Sequence, residues 1–164
     1  DELAFIKLLD KYEGRVFRYF YKCFNDEHTA QDLTQNLFVI VLNKVAKNPP
    51  DIFHRYIFKI CKNLALKEFR KIERRESNCD NLHSISFDKT PQDYLAQKQV
   101  TSSVNAAIDE LNFVQKQTIL LKFMEDFSIK DIAAILNITE NTVKSHIHRA
   151  KKKLRNSLKE YYYE

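Results

Sequence analysis

The sequence predicts an all-α fold in two small helical domains joined by a flexible linker. Glycine occurs once and proline three times in 164 residues, leaving little room for hairpin turns or a many-stranded sheet. Lys, Glu, Leu, Ala and Gln, all good helix formers, fill the long segments. Apolar residues recur at spacings of three and four on both sides of one polar stretch that lacks such spacing.

The first predicted helix covers residues 2–24. Leu3, Ile6, Leu9, Val16, Phe17 and Phe20 share its helical spacing. Gly14 is expected to kink or break it, because glycine is poorly held in a helix. Asn25-Asp26 offers a cap for a second helix over 27–46, with Leu33, Leu37, Val41 and Val45 inward and Phe38, Ile40 and Leu42 widening that face. Asn48-Pro49-Pro50-Asp51 is a loop, since proline suits a helix start but not its interior. The third helix, 52–76, turns Phe53, Tyr56, Ile57, Ile60, Leu64 and Phe69 toward a core. It carries Lys59, Lys62, Lys67, Arg70, Lys71, Arg74 and Arg75 along its length.

From Ser77 the helical pattern fades, and Asn, Asp and Ser dominate. The expected organisation is therefore a first domain over 1–76, a linker over 77–90 and a second domain over 91–164. Thr90-Pro91-Gln92-Asp93 has the chemistry of a helix start, with Thr as cap and Pro first inside. Helices over 91–110, 112–124, 128–136 and 139–161 follow.

The net charge is +5 and the pI near 9.0. That speaks to partners rather than to fold, and the basic residues concentrate in the 52–76 helix and the last helix. Cys23, Cys61 and Cys79 form no C-x-x-C pair, so they are expected as unbridged thiols in a reducing cytoplasm. No apolar run approaches the ~20 residues that span a bilayer, and no signal peptide is visible. The five histidines contain no H-x-x-x-H pair, and neither a phosphate-cradling glycine loop nor a nucleophile elbow occurs. No enzyme, cofactor, metal site or small-molecule substrate is expected.

The clearest local signal lies at 128–158. Ser128-Ile129-Lys130-Asp131 is a capping box, followed by a short helix with Ile132, Ala133 and Leu136 inward. Asn137 tolerates the left-handed conformation that ends a helix, Ile138 plugs the turn, and Thr139 caps the next helix. On that helix Val143, Ile147, Ala150, Leu154 and Leu158 form one apolar stripe. Asn141, Thr142, Lys144, Ser145, His148, Arg149 and Lys152 remain for a DNA face. No acidic residue occurs between Asn141 and Ser157. Lys and Arg can read guanine, Asn can pair with adenine, and the cations neutralise phosphates. This is a helix-turn-helix with a recognition helix. An amphipathic helix with a merely solvated basic face has neither the two caps nor the short turn.

Residues Asp131–Ser145 with His148-Arg149-Ala150 resemble region 4 of bacterial sigma factors of the extracytoplasmic-function (ECF) group, and also the DNA-binding domain of LuxR-type regulators. The N-terminal half separates the two. Asp32-Leu33-Thr34-Gln35-Asn36-Leu37-Phe38 is similar to the sigma region 2 motif D-L-x-Q-E-x-F. Phe53–Ala65 is similar to that family's F-x-x-W-L-x-x-I-A-x-N-x-A. A LuxR-type regulator needs a receiver or sensor domain, and receivers alternate strands with helices.

The resemblance to ECF sigma factors implies a protein that binds core RNA polymerase and directs it to promoter DNA, and that an anti-sigma factor holds inactive. It places polymerase contacts at Asp32, Gln35, Asn36 and Phe38. It places contacts to the unpaired −10 element at Tyr56, Lys59, Lys62, Asn63 and Lys67, and contacts to the −35 duplex at Lys144, Ser145, His148 and Arg149 with Asn141, Thr142 and Lys152 nearby. An aromatic, an amide and cations on one helix suit single-stranded DNA. Asn36 stands for the family's Glu, Tyr56 for its Trp and Asn137 for its Gly. The Asn48–Asp51 loop lacks the family's glycine-containing stretch, so no −10 base preference carries over.

Overall fold

The computed structural model describes residues 2–45, 50–78 and 95–162. Among them it contains seven α-helices, one π-helical segment and no strand. The helices are α1 (Glu2–Phe24), α2 (Glu27–Val45), α3 (Phe53–Asn78), α4 (Leu95–Asp109), α5 (Phe113–Ile119), α6 (Ile129–Leu136) and α7 (Glu140–Tyr162). The π-helical segment, Leu120–Met124, continues α5. The Thr90-Pro91 helix start and most of the expected linker lie outside the described residues. Ser77 and Asn78, assigned to that linker, instead complete the last turn of α3, where the Ser77 hydroxyl donates to the Glu73 carbonyl at 2.8 Å.

α1 runs unbroken through Gly14, contrary to the expected kink. Tyr12, Val16, Tyr19, Phe20 and Cys23 are buried at helical spacing on both sides of that glycine, and their packing outweighs one poor helix former. A Cβ at Gly14 meets nothing within 4 Å. Gly14→Ala is therefore expected to stabilise the protein by about 0.5–1 kcal/mol. A denaturant midpoint equal to or below wild type rejects that expectation.

Asn25 ends α1 in the left-handed region (φ 52), its amide donating to the Tyr21 carbonyl at 2.7 Å. Asp26 then caps α2, accepting from the Thr29 amide at 2.8 Å, and the Thr29 hydroxyl together with that amide holds the Asp26 carboxyl below its ordinary pKa. Leu33, Leu37 and Val41 are buried as expected, whereas Leu42 is exposed. On α3 the fully buried stripe is Ile57, Phe58, Cys61 and Ala65. Phe53, Tyr56, Ile60 and Leu64 are only half-buried against it, so the core face is rotated by one residue from the expected one. The reason is that α3 packs on α1 and α2 and on α6 as well. Cys23 and Cys61 are free, buried thiols, and burial pushes the Cys23 thiol up to about 12.

The C-terminal helices pack around Ile119, Leu120, Leu121, Phe127, Ile132, Ile135, Val143 and Ala150. Asn112 caps α5 by accepting from the Gln115 amide at 2.9 Å. The π-helical segment widens the end of this helix, the Glu125 amide reaching back to the Leu120 carbonyl at 3.3 Å. Asp126, in the left-handed region (φ 55), then turns the chain toward Ser128.

One apolar cluster joins the two domains. His54 of α3 stacks on Phe127 at 4.3 Å between ring centroids, and Phe58 meets the edge of Phe127 at 5.5 Å. Phe69 stacks on Phe113 at 4.2 Å. Around these rings run two ion pairs, Arg15–Glu125 at 2.6 Å and Arg55–Asp131 at 3.3 Å.

Candidate nucleic-acid interface

The helix-turn-helix is built as its caps dictate. Ser128 has extended backbone (ψ 157), and its hydroxyl oxygen accepts from the Asp131 amide at 3.1 Å. The same hydroxyl donates to the Asp131 carboxylate at 2.7 Å, which with Arg55 holds that carboxyl below its ordinary pKa. Asn137 ends α6 in the left-handed conformation (φ 56, ψ 48), a backbone that Asn adopts at lower cost than most residues. Ile138 packs half-buried against the core, and its amide donates to the Ala133 carbonyl at 3.1 Å. Thr139 caps α7, accepting from the Thr142 amide at 3.2 Å.

Val143 and Ala150 are fully buried, and Ile147, Leu154 and Leu158 half-buried, so α7 keeps its apolar stripe inward. Asn141, Lys144, Ser145, His148, Arg149 and Lys152 are all exposed. Their spacing of three, one, three, one and three places them on one face. Thr142 differs, because its hydroxyl is paired with that of Thr139 at 2.8 Å and serves the helix start. His146, two positions from His148, is half-buried, and burial with the nearby Arg149 charge lowers its pKa.

On α3, Lys59, Asn63 and Lys67 are exposed, with Tyr56 and Lys62 half-buried beside them. The unbroken helix puts all five on one stripe. Lys62 Nζ donates to Asn63 Oδ1 at 3.3 Å, which leaves the Asn63 amide NH2 for a base edge. Tyr56 packs against the core through part of its ring, so the stacking surface it offers is limited to the rest. On α2, Asp32, Gln35 and Asn36 form an exposed polar face. Phe38 is half-buried in the core, so it also supports the fold. Val39 and Leu42, on the same side as Gln35, are exposed at 56% and 49%, making this face partly apolar.

Arg55 and Glu125 escaped the reading of the sequence. Arg55 lies between two motif residues and is paired across 76 positions with Asp131. Glu125 is paired across 110 positions with Arg15. Local spacing carries no sign of such partners.

Fold and site together define a helical protein of two domains, with a helix-turn-helix in the second and a polar, basic helix face in the first. Two family models match the chain in that order: Sigma-70 region 2 over residues 8–75 and Sigma-70, region 4 over residues 102–154. The chain is 28% identical to the ECF RNA polymerase sigma factor SigE of Mycolicibacterium smegmatis over 93% of its own length, and spans 60% of that relative's length. It is 24% identical to the ECF RNA polymerase sigma factor SigW of Bacillus subtilis, with 98% of this chain and 91% of SigW covered. Among solved structures, its fold resembles the sigma factor RpoE of Bartonella quintana in complex with the anti-sigma factor NepR. That match has a TM-score of 0.77, 22% identity, and coverage of 95% of this chain and 97% of that one. It also resembles CnrH in complex with the cytosolic domain of CnrY, at a TM-score of 0.69, 20% identity, and coverage of 97% and 90%. The chain belongs to the sigma-70 family, and within it to the ECF sigma factors.

Proposed function

We propose that this chain binds core RNA polymerase and directs it to promoters by reading a −10 and a −35 element, and that it does so in the cytoplasm without catalysis of its own. The observation that carries this is the pairing of two DNA-competent faces in one chain, on α3 and on α7, each within its own sigma-region match. A stand-alone regulator has use for the second face alone. In this reading residues 1–78, through the end of α3, form the region 2 domain, and residues 91–164 the region 4 domain, with the linker between them.

The roles follow from chemistry. Asp32, Gln35 and Asn36, with Phe38 behind them, offer acceptors and amides on the exposed face of α2 for polymerase. On α3, Tyr56 and Asn63 meet an unpaired base while Lys59, Lys62 and Lys67 hold its backbone. On α7, Lys144, Ser145, His148 and Arg149 face base edges in the major groove, with Asn141, Thr142 and Lys152 flanking them. The anti-sigma partners of the two structural neighbours support an anti-sigma factor as a third partner. No described helix is long and apolar enough to cross a membrane.

The deciding experiment is run-off transcription with core polymerase and a promoter library. Initiation that depends on this protein, at templates sharing one −35/−10 pair, is the expected result. Initiation that ignores the protein rejects the reading. Asp32→Ala removes an exposed carboxylate and is expected to weaken polymerase binding by roughly 1 kcal/mol or more, the scale of a charged hydrogen bond. Binding of an isolated −35 duplex stays unchanged. Equal loss in both assays points to misfolding instead.

A further inference from the structure

The helix that α5 begins is buried on every side over much of its length, Gln115 through Leu121 all being shielded from solvent. At its end the π-helical turn, Leu120–Met124, closes its hydrogen bond over five residues instead of four. That wider turn changes which side of the axis the last residues face. Phe123 and Met124 emerge there, at 55% and 36% exposure. A phenylalanine more than half exposed gains little from the fold that holds it, and π-turns are frequent at functional sites. The Phe123 ring meets Lys151 of α7, whose Nζ lies 5.3 Å from the ring centroid, within the range of a cation–π contact.

Lys151 is exposed. It follows His148 by three positions and Lys144 by seven, so the three share one stripe of α7. Lys151 stands about 10 Å further along the axis than Lys144. A recognition helix reads base edges with its N-terminal residues. Two turns on, the same stripe meets the phosphate wall of the groove rather than its floor. Lys151 has the charge for that wall, and α7 carries no carboxylate from Asn141 to Ser157 to draw it aside.

Resting on the −35 reading proposed above, we infer that Phe123 is a positioning residue for DNA: its ring holds the Lys151 ammonium beside the recognition helix, aimed at the phosphate backbone of the −35 duplex. An unheld lysine samples many rotamers and must be ordered when it binds. A carboxylate partner would order it, but would also compete with phosphate for its charge and be repelled by the DNA. An aromatic face attracts the ammonium through its quadrupole and leaves the full charge for phosphate and counterion release. Closure of the DNA strand over the pair also removes the exposed part of the ring from water.

Fluorescence anisotropy of the full chain, on a short duplex selected from a random library by binding to that chain, tests this across a salt series. Lys151→Ala is expected to lower the slope of log affinity against log salt by about 0.9, one phosphate contact. Phe123→Leu keeps the apolar bulk and removes the ring. It is expected to weaken binding about two- to fivefold at fixed salt, the equivalent of an exposed cation–π contact, and to lower the slope in the same direction. Phe123→Tyr, which keeps a ring, binds as wild type does. In the Lys151→Ala background Phe123→Leu costs nothing further, a coupling that a merely structural role for the ring does not produce. Thermal melting by circular dichroism stays at wild type throughout, since both side chains are exposed. Phe123→Leu equal to wild type in duplex binding, or equally costly with and without Lys151→Ala, overturns the proposal. Unchanged duplex binding with weakened binding to core polymerase also overturns it, and gives the ring to a protein partner. Those outcomes leave α7 standing as a DNA-reading helix, whereas a wild-type chain that selects no duplex overturns both.

Discussion

Phe58→Ala is expected to destabilise the protein by about 3–5 kcal/mol, the cost of a large buried ring replaced by a cavity. Phe58 is fully buried and sits among three other rings. Tyr19 meets it edge-on at 5.6 Å, His54 at 5.2 Å and Phe127 at 5.5 Å. Edge-to-face pairs add to what burial alone supplies, and three partners lose theirs at once. The backbone there cannot collapse to fill the gap, because α3 is held on both sides by α1 and α6. Typical domains are stable by only about 5–15 kcal/mol, so a large part of the margin is lost. Urea unfolding followed by circular dichroism measures it. A loss under about 1 kcal/mol places Phe58 outside the load-carrying core. The neighbouring Lys59→Ala, at an exposed site, is the matched control and is expected to change stability by less than about 0.5 kcal/mol.

Phe58 also marks where the sequence could and could not be read. Helix bounds came from periodicity and caps, and α1 falls on 2–24 as expected. The turn of the helix-turn-helix was readable to the residue, because Ser128, Asn137 and Thr139 act on backbone within three or four positions of themselves. The buried stripe of α3 was misplaced by one residue. Periodicity sees one apolar face, while α3 is buried on two, and the second is set by a domain distant in sequence. The π-helical segment at Leu120–Met124 carries no local signature either, since it follows from how the end of α5 and Asp126 must turn to reach Ser128. The candidate DNA faces were legible because surface residues on a helix are sorted by spacing alone. Arg15–Glu125 and Arg55–Asp131 were not, because nothing local announces a partner 110 or 76 residues away.

Arg149→Ala is expected to weaken −35 duplex binding by about 1–3 kcal/mol and to relax preference at one base pair. Arg149 is exposed on α7, one residue before the fully buried Ala150 that anchors the helix. Its guanidinium has the fork that meets guanine O6 and N7 together, and α7 carries no carboxylate from Asn141 to Ser157 to draw it away. Ala and Arg differ little in helix propensity, so the loss is one of binding, and an unchanged melting temperature shows it. Lys152→Ala, one turn further along the same face, is the contrast. A lysine at a phosphate weakens all sequences alike and lowers the salt slope by about one. Fluorescence anisotropy across single-base variants of the −35 duplex, at two salt concentrations, separates the two kinds of loss. If Arg149→Ala behaves as Lys152→Ala is expected to, Arg149 holds the backbone, and base reading falls to Lys144, Ser145 and His148. If affinity and preference are both unchanged, α7 does not enter the groove by this face, and the assignment of the whole stripe falls with it.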